Sequence, residues 1–169
     1  IDNGGTAEKP IIVEGYTTTP GDQPVFSNFD DETDADPSKL PVLTGNNRSG
    51  TAVEVSANNV ILRHFMFQEF ATGIWMSRSD NIEIDSVYVK NIGNNSPDLK
   101  VYGGLGITLK SSTNSTVKNS AVVNAGGQLF TIFEGSNNTL ENNKGFGSLS
   151  DGQRNSVDYY VILFKTNGN

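Results

Sequence analysis

The residues in this chain best suited to acting on a ligand are an aromatic, a few cations and a cluster of carboxylates. Trp75 offers an indole face that can stack on a pyranose ring, and Lys110 an ammonium that can pair with a carboxylate. Arg78 and Tyr102 are the further candidates for binding a substrate. Asp30, Asp31 and Asp34, in a run that also holds Glu32 and Asp36, give the oxygen-ligand density that suits Ca²⁺. That run lacks the D-x-D-x-D-G spacing of a defined calcium loop, and a solvated charged loop is the competing explanation. For the other pair the competing readings are a solvated Lys110 and a Trp75 packed beneath a neighbouring loop. His64, the one histidine, follows an outward-facing residue and reads as a satisfied interior or turn residue rather than a base. Gly103-Gly104-Leu105-Gly106 is not a phosphate loop, because it precedes a strand and no Lys-Ser/Thr follows.

These side chains have to be held by elements that the composition narrows. Hydrophobic residues make up 35% of the 169, Gly numbers 18, and Asn, Ser and Thr are abundant. That argues for many short strands joined by turns and against a helical bundle. The length suits one domain, residues 1–169. A net charge of −7 disfavours nonspecific binding to nucleic acid or to an anionic membrane surface. A polyanionic sugar would therefore need a local basic patch or bound Ca²⁺. There is no cysteine, so stability must come from burial and hydrogen-bond ladders. No apolar run approaches the roughly 20 residues of a spanning helix. Asn47, Asn114 and Asn137 each open an N-x-[ST] sequon, which chance explains in an Asn-rich sequence.

Four segments align on an apolar-x-apolar strand followed by an Asn turn: Val53-Glu54-Val55, Ile74-Trp75-Met76, Ile107-Thr108-Leu109 and Phe130-Thr131-Ile132. From each strand start an Asn falls seven positions on (Asn81, Asn114, Asn137) or, in the shorter coil, six (Asn59). A second strand follows with Leu62, Ile84, Val117 and Leu140 facing inward. Its next, outward position reads Arg63, Asp85, Lys118, Glu141, a ladder of alternating charge that supports the register. Coil starts are separated by 21, 33 and 23 residues, a repeat of about 22 with one insertion, the loop 93–104. A longer surface loop covers 17–51 and carries the acidic run. Stacked coils satisfy the backbone groups of every strand along the axis, so the pattern predicts an all-β, single-stranded parallel β-helix, a solenoid. It places Glu54, Trp75, Thr108 and Thr131, then Ser56, Ser77, Lys110 and Phe133, on the outer face of the first strand. The Asn column predicts an internal amide ladder, with Asn as a mere turn former the alternative.

The opening Gly-Gly-Thr-Ala-Glu-Lys-Pro-Ile-Ile-Val-Glu-Gly-Tyr, Gly4 to Tyr16, resembles the early coil of alginate, chondroitin and family-nine pectate lyases. The chain as a whole resembles the pectate-lyase-like superfamily of right-handed parallel β-helix proteins. The resemblance implies right-handedness and an extracellular location. It also implies a protein that binds or cleaves acidic polysaccharide, most readily a lyase working by β-elimination, with Ca²⁺ as a cofactor candidate. The alternative is a noncatalytic surface or adhesion solenoid. Elimination on a uronate needs a base for the C5 proton and a cation to neutralise the carboxylate. The resemblance implies a Lys or Arg base projecting from a coil face, which puts Lys110 in the catalytic role. Other subfamilies are not matched. There is no Gly-His-Gly of the polygalacturonase type, no Gln-Asp-Thr-Leu of the methylesterases, and no Asp-Pro-His-Glu of the epimerases. The Asp-rich Ca²⁺ site and following Lys of the family-nine lyases have no clear counterpart in the core coils. Strand-like residues at both ends, Ile1-Asp2-Asn3 and Tyr160 to Asn169, predict an incomplete or uncapped segment, continued by more coils or covered by stacked neighbours.

Overall fold

The structure, a computed structural model, describes residues 1–22, 40–93, 104–146, 159–164, 166 and 168. Its strands form three parallel sheets of five, and each coil visits the three in turn. Sheet A stacks β1 (Ile11–Glu14), β4 (Val60–Arg63), β7 (Ile82–Asp85), β10 (Thr116–Lys118) and β13 (Thr139–Glu141). Sheet B stacks β2 (Val42–Thr44), β5 (Met66–Gln68), β8 (Tyr88–Ile92), β11 (Ala121–Ala125) and β14 (Lys144–Phe146). Sheet C stacks β3 (Thr51–Val55), β6 (Thr72–Ser77), β9 (Leu105–Lys110), β12 (Gln128–Phe133) and β15 (Tyr159–Phe164). This is the parallel β-helix that the repeat predicts, with the right-handedness that the resemblance implies.

The register agrees residue for residue. Val53, Ile74, Ile107, Phe130 and Val161 pair in one column of sheet C. Arg63, Asp85, Lys118 and Glu141 pair in one column of sheet A, with Glu14 extending the alternation by one coil. Inward positions of the middle coils, among them Leu62, Ile74, Met76, Ile84, Ile107, Leu109 and Val117, are sealed from solvent. At about 25 cal/mol per Å² of buried apolar surface, that axial core is the main stabilising term in a chain without disulfides. The central strands of sheet B, β5, β8 and β11, are largely buried on both faces, which hides their part of the repeat. Leu40, Met66, Tyr88, Ala121 and Val123 form a second small cluster beside the axial core. Met66-Phe67 and Ala121-Val122-Val123 therefore read as continuous apolar runs instead of alternating ones.

Corners are made by left-handed residues, two of them where Arg78, Ser111 and Glu134 precede the Asn of the turn. Asn59, Asn81, Asn114 and Asn137 turn sheet C toward sheet A at φ of 55°, 56°, 50° and 53°. His64, Ser86, Asn119 and Asn142 do the same between sheets A and B. Asn is favoured at such positions because its short amide offsets the cost of the left-handed backbone. An amide ladder forms in two pieces, but at the surface and not in the interior as expected, with Asn81, Asn114 and Asn137 exposed. Asn81 Nδ2 donates to Asn59 Oδ1 at 2.7 Å, and Asn137 Nδ2 to Asn114 Oδ1 at 3.2 Å. Between them Asn114 turns to Asp80 Oδ1 at 2.7 Å, which also accepts from Thr113 Oγ1 at 2.6 Å. A carboxylate is a stronger acceptor than an amide, so it interrupts the ladder. Asn114 and Asn137 each donate an amide hydrogen within this column.

Two expectations need correction. The stretch 17–51 is not loop throughout: β2 pairs Val42–Thr44 with Met66–Gln68, and β3 starts at Thr51. The β-branched residues there supply the partners that the edge of β5 requires. Thr108 is not solvent-facing: it is 2% exposed, and Thr131 5%. Both occupy the outward parity of sheet C, but Thr108 is hemmed axially between Trp75 and Thr131, whose side chains shield its short one. Gly93 and Gly104 bracket the 93–104 insertion with φ of 126° and 127°, and residues 94–103 lie outside the described set.

Candidate functional site on the outer face of sheet C

Strands β6, β9 and β12 are the longest in the central coils, and their alternation sends every second side chain outward. One outward column pairs Ser77, Lys110, Phe133 and Phe164; the column beside it pairs Glu54, Trp75, Thr108 and Thr131. The diagonal between the columns brings Lys110 Nζ to 5.6 Å from the Trp75 ring centroid, and Phe133 lies 6.0 Å away on the other side. Phe133 in turn stacks on Phe164, with centroids 4.9 Å apart and ring planes 9° from parallel. Trp75, Lys110, Phe133 and Phe164 thus form one strip along the solenoid axis, in which ring faces flank a single ammonium. Lys110 has no carboxylate partner among the described residues.

Of the substrate-binding candidates, Trp75 and Lys110 are therefore brought together. Arg78 is adjacent through the backbone, its N–H donating to the Lys110 carbonyl at 2.9 Å. Its side chain belongs to another feature, an open polar hollow of about 360 Å³ at the corner leading to sheet A, lined also by Asp2, Gly4, Gly5, Ser56, Ala57 and Asn58. Tyr102 and the metal candidates Asp30, Asp31 and Asp34 lie outside the described residues. Among the described residues no group of three or more His, Asp or Glu gathers in one place. Phe164 was the missed member of the strip, although it stands at the same offset from its strand start as Lys110 and Phe133 and could have been found by extending the register.

His64 is on another corner. It is 6% exposed, takes φ of 62°, and places Nδ1 3.2 Å from Glu14 Oε1. The Arg63 guanidinium also donates to Glu14, at 3.2 Å, and that bond is the main reason the Glu14 carboxyl is held below its ordinary range. This is a satisfied turn residue, as its place in the sequence suggested.

Comparison with curated proteins and with solved structures returns no match. The family model for the right-handed β-helix region matches residues 42–158, which takes in β2 to β14. With the coil repeat and the three stacked parallel sheets, that match shows that the chain belongs to the right-handed β-helix family.

Proposed function

We propose that this is an extracellular carbohydrate-active β-helix protein that takes an acidic, uronate-containing polysaccharide along the outer face of sheet C. The observation that carries this reading is the Lys110 ammonium held between the Trp75 and Phe133 rings, with no carboxylate partner among the described residues. Rings stack on pyranose faces and an unpaired ammonium attracts a carboxylate, so the strip offers both contacts that a uronate polymer needs. Coils repeat every ~4.8 Å along the axis, a spacing on which an extended polymer can lie.

The finer proposal is that the protein is a polysaccharide lyase. In β-elimination a base removes the C5 proton of the uronate, the C4–O bond breaks, and the leaving sugar oxygen takes a proton. Lys110 would accept the C5 proton only as the neutral amine, after its ammonium has given up a proton to solvent. Asp30, Asp31 and Asp34 would hold a Ca²⁺ that helps neutralise the uronate carboxylate. Incubating the protein with pectate, alginate and chondroitin, with and without Ca²⁺, while following the absorbance of the unsaturated product tests the lyase. Product that disappears in Lys110→Ala supports it. Retention on a polymer-containing gel without product leaves a noncatalytic binding solenoid, and neither result with any polymer contradicts the proposal.

A further inference from the structure

The Arg78 hollow is built differently from the strip beside it. Its floor is rigid: Gly5 N–H donates to the Asn58 carbonyl at 3.1 Å, and Asn59 Nδ2 donates to the Gly5 carbonyl at 3.1 Å. A Cβ on Gly4 would stand 2.1 Å from the Asn58 carbonyl oxygen, so only glycine lets these two segments approach so closely. Asn58 Oδ1 is committed to the Asp80 N–H at 2.9 Å, which leaves the amide NH₂ as its free, donating end. Arg78 is exposed, is anchored through its own N–H, and makes no ion pair among the described residues. Asp2 and the exposed Ser56 complete the lining with oxygen acceptors.

We infer that this hollow is a subsite for one uronate unit, adjoining the aromatic strip and recognising the carboxylate and its neighbouring hydroxyls. The inference rests on the reading of sheet C as a polysaccharide-binding face. Its chemistry follows from the donor and acceptor inventory. The planar guanidinium of Arg78 forms a two-pronged pair with a carboxylate, and the Asn58 amide can add a donor. Asp2 and Ser56 accept from sugar hydroxyls. An inorganic anion would gain only the donors, whereas a uronate also gives hydroxyl hydrogen bonds to Asp2 and Ser56. Ser56 stands on the same outward parity as Ser77, Lys110 and Phe133, one coil before Ser77. A polymer in the hollow is thus directed onto the strip, with Arg78 and Lys110 set for carboxylates on separate sugar units.

Amide NMR of the whole chain, with signals from both regions, tests this. The probes are a uronate trisaccharide, its carboxyl-reduced neutral analogue, and inorganic sulfate. The expected result is that the trisaccharide shifts the Gly4, Gly5 and Arg78 Nε signals together with the Trp75 indole. Arg78→Gln should weaken binding roughly tenfold, with Arg78→Lys recovering part of it, while the Trp75 shift persists at higher ligand. Shifts at Trp75 alone would overturn the hollow and leave the strip standing; no shift in either place would sink the sheet C reading itself. Equal shifts in the hollow with the neutral analogue, or with sulfate, would overturn the uronate assignment. Asp2→Asn keeps the test sharp, because it should weaken the trisaccharide and not sulfate.

Discussion

Lys110 and Lys118 are the same residue type, each at the outward end of a strand in the same coil, and their surroundings differ completely. On sheet A, Lys118 Nζ lies 2.9 Å from Glu83 and 3.6 Å from Asp85, and the hydrogen bond it donates to Glu83 is the main reason its ammonium is held above the ordinary lysine range. On sheet C, Lys110 has rings where Lys118 has carboxylates. In the charge column of sheet A, from Glu14 through Arg63, Asp85 and Lys118 to Glu141, both cations have carboxylate partners along the stack, Arg63 at Glu14 and Lys118 at Asp85. On sheet C, Lys110 has no carboxylate partner among the described residues, in a protein whose net charge is −7. A solenoid repeats its backbone from face to face, so what separates a structural face from a binding face is whether the outward charges are paid within the column.

The largest expected effect lies beneath both faces. Ile107→Asp places an unpaired carboxylate in a site with no exposure, and a loss of about 4 kcal/mol or more in denaturant unfolding is expected. Thr108→Asp, one residue on, should also destabilise markedly because Thr108 is buried and its hydroxyl has no partner among the described residues. A Thr108→Asp variant as stable as the parent would show that the outer face of sheet C is more open than described.

Next come the substitutions that separate the two lysines. Lys110→Ala and Trp75→Ala should each weaken polysaccharide binding about tenfold, roughly 1.4 kcal/mol, while changing stability by no more than about 0.5 kcal/mol. Lys118→Ala should do the opposite, leaving binding intact and costing about 0.5–1 kcal/mol of stability, since its pairs are partly exposed. Polymer affinity and chemical denaturation measured on the three variants check both halves, and equal binding losses for Lys110→Ala and Lys118→Ala would erase the distinction between the faces.

The smallest effect is in pH. Asp80 is held below its ordinary value of 3.8, first by the Thr113 hydroxyl and then by the Asn114 amide. Its folded-state contribution is therefore complete above that value and is lost as the pH falls through the lowered one. The Lys118 contribution runs the other way, complete below 10.5 and lost as the pH rises through the raised value. Asp80→Asn should flatten the acid limb of the stability profile, and Lys118→Met the alkaline limb, each read from melting temperature against pH.

Much of this was legible in the chain because a stacked coil turns sequence offset into spatial column. Arg63, Asp85, Lys118 and Glu141 could be aligned before any coordinates, and so could Trp75 beside Lys110. Where periodicity fails, so does legibility. Sheet B, apolar on both faces, has no alternation to detect, and Thr108 follows the outward parity while its neighbours bury it. The break in the Asn ladder depends on Asp80, a residue adjacent to the column whose charge outcompetes an amide. The Arg78 hollow joins Gly4 and Gly5 to Asn58 and Arg78 across long sequence separations, which no local pattern encodes.

Trp75 is the single tryptophan, so its emission reports directly on the claim that sheet C receives an acidic polysaccharide. Titration with pectate, alginate and chondroitin should give a saturable change with at least one polymer, and the Lys110→Ala variant should need about tenfold more of that polymer. No change with any polymer, or an identical titration in the variant, would contradict the account.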